Sequence, residues 1–206
     1  MVNMGITGVL LYPIRLFFDI VTFLLYKKPL AKKIAFLCKN NSTILDFGCD
    51  NGSVSKMIMD FNPSLKIVGV DIQGNRPSQI PRRLYQGRKV PYPDKTFDIV
   101  LSLDVLHHTK NIPYFVKEMK RLSKSYLIIK DHAVYGPVSR WLVCFSDYMF
   151  NMPYRIKCAF NYPTMGEWGG LFHKLKLKKT GKPTNHDFCF GIAKKYNPIF
   201  KLEKCE

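Results

Sequence analysis

The chain has 206 residues, 47% of them hydrophobic, and its 32 Lys and Arg against 15 Asp and Glu leave a formal net charge of +17. That length suits one α/β core with an addition rather than two full domains, and the hydrophobic content excludes a disordered chain. The six cysteines stand apart without a C-x-x-C pair, which argues against a zinc or other metal site and for reduced thiols in a cytoplasmic protein.

From Gly5 to Tyr26 the chain is almost continuously apolar, yet it holds Pro13, Arg15 and Asp19. A helix over 13–38 would place Arg15, Asp19, Thr22 and Tyr26 on one narrow polar stripe, and the basic cluster Lys27, Lys28, Lys32 and Lys33 follows it. Two readings stay open. Residues 5–33 would lie on an anionic membrane surface, where each basic charge is worth about 1 kcal/mol, or the helix packs over its own domain. Arg15 and Asp19 disfavour a true span, and no positive region precedes the apolar run as a cleaved leader requires. The expected division is an N-terminal helical segment over 1–40 and a main domain over 41–206.

The run Ile44-Leu45-Asp46-Phe47-Gly48-Cys49-Asp50-Asn51-Gly52 reads as a buried strand over 43–47, a glycine turn and the start of a helix over 53–60. Gly48 and Gly52 let the backbone turn tightly, and the helix start near Ser53 offers N–H groups to a carboxylate or phosphate. A second strand over 65–70 runs into Asp71, the position at which dinucleotide folds place a ribose-binding acid. The nicotinamide fingerprint is absent, because Asp50 and Ser53 stand at its second and third glycine positions. Further along, the pattern predicts strands near 83–86, 97–103 and 125–130, and helices over 112–123, 137–151 and 164–174. Two closing strands are expected near 175–180 and 187–194. Alternation of this kind implies a mostly parallel, Rossmann-like α/β sheet with helices on both faces.

At this point the chain resembles the class I S-adenosylmethionine-dependent methyltransferases, in the small-molecule branch often labelled type 11. ILDFGCDNG is similar to that family's first motif and VGVD to its second. YQGRKVPYPDKTFDIVLSLDVLHHT is similar to the stretch from the third through the fourth strand. The resemblance implies a seven-stranded sheet with an antiparallel C-terminal edge hairpin and S-adenosyl-L-methionine as cofactor. By the same resemblance Asp46, Gly48, Cys49, Asp50 and Gly52 meet the methionine part, Asp71 the ribose, and Ile72, Gln86 and Gly87 the adenine, with Leu103 closing the set. Lys130-Asp131-His132, then Asp147, Asn151, Asn161-Tyr162 and Trp168, are similar to the acceptor-side pattern of one subgroup, in an insertion over about 132–170. Two positions depart from the family. Asp50 replaces the usual glycine, so its carboxylate would repel that of the cofactor, and Gln86 replaces an adenine-binding Asp while keeping an acceptor oxygen.

A methyl group on a sulfonium is already activated, so positioning carries most of the rate and a base matters only for an acceptor that must lose a proton. His132 is the first choice for that base, from its unperturbed pKa of about 6.5, with Asp104 and His107 as further catalytic candidates. Asp147 and Asn151, one helical turn apart, together with Tyr162 and Trp168, are the expected acceptor-binding residues. The aromatic insertion points to an apolar or planar small-molecule acceptor, although Val138, Trp141, Leu142, Phe145 and Met149 also fit a core-facing stripe. The positive charge invites a nucleic-acid acceptor, and two N-x-P-Tyr tetrads, at 111–114 and 151–154, are similar to the catalytic motif of amino-group methyltransferases. Neither follows the fourth strand directly, and Asn111 is more economically a helix N-cap. The expected function is therefore methyl transfer to a small hydrophobic acceptor by a cytoplasmic protein, peripheral to a membrane on one reading of its N-terminus. The alternative is a non-catalytic cofactor-binding or membrane-adaptor protein.

Overall fold

A computed structural model describes residues 20–74, 76–152, 159–181, 184–186 and 194–205. A π-helical turn at Phe23–Lys27 leads into α1 (Lys28–Leu37), and β1 (Thr43–Phe47), α2 (Ser53–Phe61) and β2 (Lys66–Asp71) follow. Next come β3 (Arg82–Leu84), β4 (Phe97–Leu103), a 3-10 turn at Leu106–His108, α3 (Ile112–Leu122) and β5 (Ser123–Lys130). The chain closes with α4 (Pro137–Asn151), α5 (Met165–Lys174), β6 (Leu177–Lys179), β7 (Thr184–Asn185) and β8 (Pro198–Lys204).

The sheet runs β3-β2-β1-β4-β5-β8-β6, with β3 through β5 parallel and β8 antiparallel to both β5 and β6. β7 also pairs with β8. Because β5 occupies the other edge of β8, β6 and β7 share one outer edge, so eight described strands make a sheet seven strands wide. The closing strand expected at 187–194 falls mostly outside the described residues. The strand that pairs with both β5 and β6 is instead 198–204, where Ile199, Phe200 and Leu202 are buried.

Alternation along the strands feeds two cores. Leu45, Val100, Leu127 and Ile129 face α3 and α5 through Val116, Met119, Trp168 and Phe172. Ile44, Ile67, Ile99 and Ile128 face α1 and α2 through Leu30, Ile34 and Ile58. Strand order reverses between β1 and β4, and there the carboxyl ends of β1, β2, β4 and β5 open a crevice, the usual ligand position of such sheets.

Two expectations change here. The α4 stripe is not core: Val138, Trp141, Leu142, Phe145 and Met149 are all exposed, Trp141 by 64%. At the N-terminus Arg15 and Asp19 lie outside the described residues, while Tyr26 turns inward and donates to Asp104, so this part of the segment packs on its own domain. Among the described residues no helix is long and apolar enough to cross a membrane. Asn111 caps α3, its side chain accepting from the Tyr114 N–H at 3.1 Å, which gives that tetrad a structural role.

Candidate active site

On one side of the crevice the backbone itself makes the site. Gly48 (φ +81°) turns the chain off β1, and the Gly48 and Cys49 N–H groups donate to the Val70 carbonyl at 2.9 and 3.2 Å. A Cβ on Gly48 would lie 2.4 Å from Val105 Cγ1, and one on Gly52 2.5 Å from Ile80 Cγ1, so these close approaches demand glycine. Asp71 ties this turn to the next strand: its carboxylate accepts from the Asp50 N–H at 2.7 Å and the Gln73 N–H at 2.8 Å.

Asp50 holds a positive φ of 47°, which Asp tolerates better than most residues. Its carboxylate pairs with Arg76, and its carbonyl accepts from Arg82 at 2.6 Å. The repulsion expected from Asp50 therefore meets a cation on its doorstep. Asp46 is buried beneath the turn and accepts from Ser55 Oγ at 2.7 Å; burial, against the Ser55 hydrogen bond, pushes its pKa up to about 6. Cys49 is buried, and burial raises its thiol pKa well above the ordinary value. Beyond Asp71, Ile72 stands 61% exposed, a Cβ on Gly87 (φ +69°) would lie 3.6 Å from its methyl, Gln86 is exposed, and Leu103 is half-buried at the end of β4.

The other side is built from buried titratable side chains. Asp131, just past β5, accepts from the Leu106 and His107 N–H groups at 2.9 and 3.3 Å, from the His132 N–H at 2.7 Å, and meets His107 Nδ1 at 2.6 Å. His107 Nε2 faces Asp147 Oδ1 at 3.5 Å without hydrogen-bond alignment. Asp147, on α4, accepts from Tyr162 Oη at 2.5 Å and from Asn151 Nδ2 at 2.7 Å. Tyr162 stacks on His107 with centroids 5.5 Å apart, and the His132 ring is 4.8 Å from that of His107.

Burial lowers the His107 pKa, but Asp131 and Asp147 overcome it and lift it to about 10. His107 in turn outweighs the burial of both carboxyls and holds them well below the usual range. His132 behaves oppositely: burial first, then the Lys130 and His107 charges, bring it down to about 4. Its unperturbed value is thus the wrong guide, and His132 is neutral at physiological pH.

Between the two sides, Asp104 (φ +57°) accepts from Tyr26 and from Lys130, a lysine with no exposed surface. Lys130 also donates to Asn197 at 2.9 Å, and His132 Nε2 stands 3.9 Å from Asp104. Burial opposes ionisation of Asp104, while Lys130 and His132 favour it and leave its pKa lowered. Tyr26 and Asn197 were missed as site residues, and Lys130, quoted only within the acceptor-side pattern, was given no role. Their one sequence signal is a lysine closing the otherwise apolar strand LIIK, where a buried charge must find a partner.

The structure thus gathers Asp46, Gly48, Cys49, Asp50, Gly52, Asp71, Ile72, Gln86 and Gly87 along one side, and His107, His132, Asp147, Asn151 and Tyr162 along the other, with Asp104 between them. Trp168 is apart from both surfaces. It is fully buried against Phe172 and Phe200, and its indole N–H donates to the His132 carbonyl at 3.0 Å, so it supports His132 from below.

Residues 22–178 match the family described as methyltransferase domain. Among curated proteins, the tRNA U34 carboxymethyltransferase of Nautilia profundicola is 31% identical over 150 residues. That match takes in 67% of this chain but 48% of the relative, so the chain spans about half the relative's length. Among solved structures, the Bacillus subtilis YcgJ protein superimposes with a TM-score of 0.59 at 17% identity, over 88% of this chain and 99% of that one. A Burkholderia thailandensis 1,6-didemethyltoxoflavin-N1-methyltransferase, solved with its acceptor and S-adenosylhomocysteine, gives 0.61 at 13% identity over 90% and 81%. With three quarters of its length inside the family match and the same fold in these neighbours, the chain belongs to the class I S-adenosylmethionine-dependent methyltransferases.

Proposed function

We propose that the chain transfers a methyl group from S-adenosylmethionine to a small, planar or apolar acceptor. The observation that carries this reading is the pairing, across one crevice, of a glycine turn anchored on Asp71 with a buried His-Asp cluster. When bound, S-adenosylmethionine supplies the activated methyl: the acceptor's lone pair bonds to the methyl carbon while the C–S bond breaks and leaves its electron pair on sulfur.

The chain's own residues do the positioning. Asp46 and the Gly48–Gly52 backbone hold the amino-acid end, and Arg76 neutralises Asp50 so that a carboxylate is tolerated beside it. Asp71 takes the ribose hydroxyls, and Ile72, Gln86 and Gly87 take the adenine. Asp104 and His132 orient the acceptor's nucleophilic atom, with Asp147, Asn151 and Tyr162 behind them. Proximity and orientation of this kind supply most of the rate in such a reaction. The exposed aromatic face of α4 would form the apolar side of the acceptor's environment.

Net charge supports a second reading, because +17 would favour a polyanionic acceptor such as tRNA, the substrate in the name of the curated relative. One assay separates these. Purified chain with methyl-labelled S-adenosylmethionine is offered a panel of hydroxylated and amino-bearing aromatic metabolites in one arm and bulk tRNA in the other. Label in a small molecule, lost in Asp71→Ala, supports the main reading. Label in RNA alone transfers it to the second, and cofactor binding without turnover in either arm points to the non-catalytic alternative.

A further inference from the structure

We propose that His107, His132 and Asp147 bind a divalent first-row transition-metal ion in the acceptor half of the crevice. One nitrogen of each imidazole and one Asp147 oxygen lie within 4.8 Å of one another, although the three residues come from the 3-10 turn, the end of β5 and α4. Both imidazoles carry a buried nitrogen, His107 Nε2 and His132 Nδ1, that makes no hydrogen bond among the described residues, and the His107 side chain is 1% exposed. His107 Nε2 faces Asp147 Oδ1 at 3.5 Å, the separation of two neighbouring ligands on one ion, and an ion there would replace the proton that pairs them now.

The surroundings are those of a ligand set. His107 Nδ1 sits 2.6 Å from Asp131, the carboxylate–imidazole arrangement that fixes a metal-binding histidine through its other nitrogen. Asp147 is likewise held, by Tyr162 and Asn151. Bonds of about 2.0–2.2 Å to nitrogen and oxygen place neighbouring ligands roughly 3–3.5 Å apart, so the set must contract by about 1 Å, within reach of side-chain rotation. Two imidazoles and one carboxylate favour zinc, cobalt, iron(II) or manganese over calcium or sodium, and three protein ligands leave coordination positions open. His132 is the partly exposed member, and its Nε2 edge, 3.9 Å from Asp104, lies opposite the offered Nδ1.

This deepens the methyltransferase reading and rests on it for the ion's role, not for binding. An acceptor hydroxyl held at an open position would release its proton to water, its electron pair staying on oxygen and the ion keeping its oxidation state. The cysteine spacing that argued against a metal says nothing of this set, which contains no sulfur.

The test uses the tag-free full chain, stripped with a chelator and titrated with Co²⁺, followed by visible absorption and calorimetry. One equivalent should bind with a d–d band that Zn²⁺ abolishes. Asp147→Asn and His132→Gln should each weaken binding at least tenfold, while His173→Gln, a surface histidine on α5, should change nothing. Absence of saturable binding overturns the proposal, as does binding that survives both site variants. S-adenosylhomocysteine titrated into the same samples keeps the two readings apart. Cofactor binding without Co²⁺ binding removes the ion site alone, whereas loss of cofactor binding in wild type removes the methyltransferase reading.

Discussion

The side of the crevice proposed for the cofactor is made of backbone, and the side proposed for the acceptor is made of side chains. Gly48 to Gly52 and Asp71 form the first from two short, contiguous segments whose N–H groups and close approaches are set by local conformation. His107, Asp131, His132, Asp147 and Tyr162 form the second from separate elements, joined by a network in which each charge depends on another. Backbone sites tolerate variation in side chains but not in Cβ atoms or dihedral angles. Charge networks tolerate neither loss of a partner nor dilution by water.

That contrast is broken most severely by Asp131→Asn. The variant keeps the shape but leaves His107 beside a neutral group, and it should lose about 3 kcal/mol of stability, while S-adenosylhomocysteine affinity in the folded fraction changes little. Chemical denaturation with calorimetry checks both, and a large affinity loss would mean that the halves are not separable. Gly48→Ala is the mirror experiment. Its Cβ meets Val105 at 2.4 Å and its φ is +81°, so about 2–3 kcal/mol should be lost together with detectable cofactor binding. Retained affinity would show that the turn is not the cofactor's seat.

Asp46 sharpens the comparison through pH. Its folded pKa of about 6 lies above the unfolded value of 3.8, so the native state binds the extra proton. Stability from this group is complete below about pH 4 and is lost as pH rises through 6. Asp46→Asn should therefore match wild type near pH 4 and exceed it at pH 7.5, by on the order of 2–3 kcal/mol. Equal melting temperatures at both pH values would refute this sign. The smallest effect belongs to Arg76→Ala, which bares the Asp50 carboxylate at an exposed site. Cofactor affinity should fall a few-fold, by about 0.5–1 kcal/mol, and the difference should shrink in high salt.

Legibility in the sequence follows the same division. The turn from Ile44 to Gly52 and the acid closing β2 could be read directly, because residues that act together there are neighbours in the chain. In the acceptor half the residue types could be read but not their pairing. Asp131 holds His107, 24 residues away, and Lys130 reaches Asp104, Tyr26 and Asn197, pairings that no local window contains. The His132 pKa failed for the same reason, since burial and Lys130 decide it and neither is visible in a local window. Trp168 was expected at the acceptor from its place in the acceptor-side pattern, yet the capping box that starts α5 turns it into the core. In the C-terminal edge the antiparallel pairing was expected correctly, but its central strand is 198–204. Phe200 and Leu202, two residues apart and in the same core, were a period-two signal that the sequence offered and that went unused.

The most direct test of the central claim is calorimetric titration of the full chain with S-adenosylmethionine, beside Asp71→Ala. The account predicts micromolar binding by wild type and a loss of at least tenfold in the variant, because Asp71 anchors the Asp50 N–H and, on the proposed reading, would take the ribose hydroxyls. Undetectable binding by a folded wild-type protein, or equal binding by the variant, would contradict it.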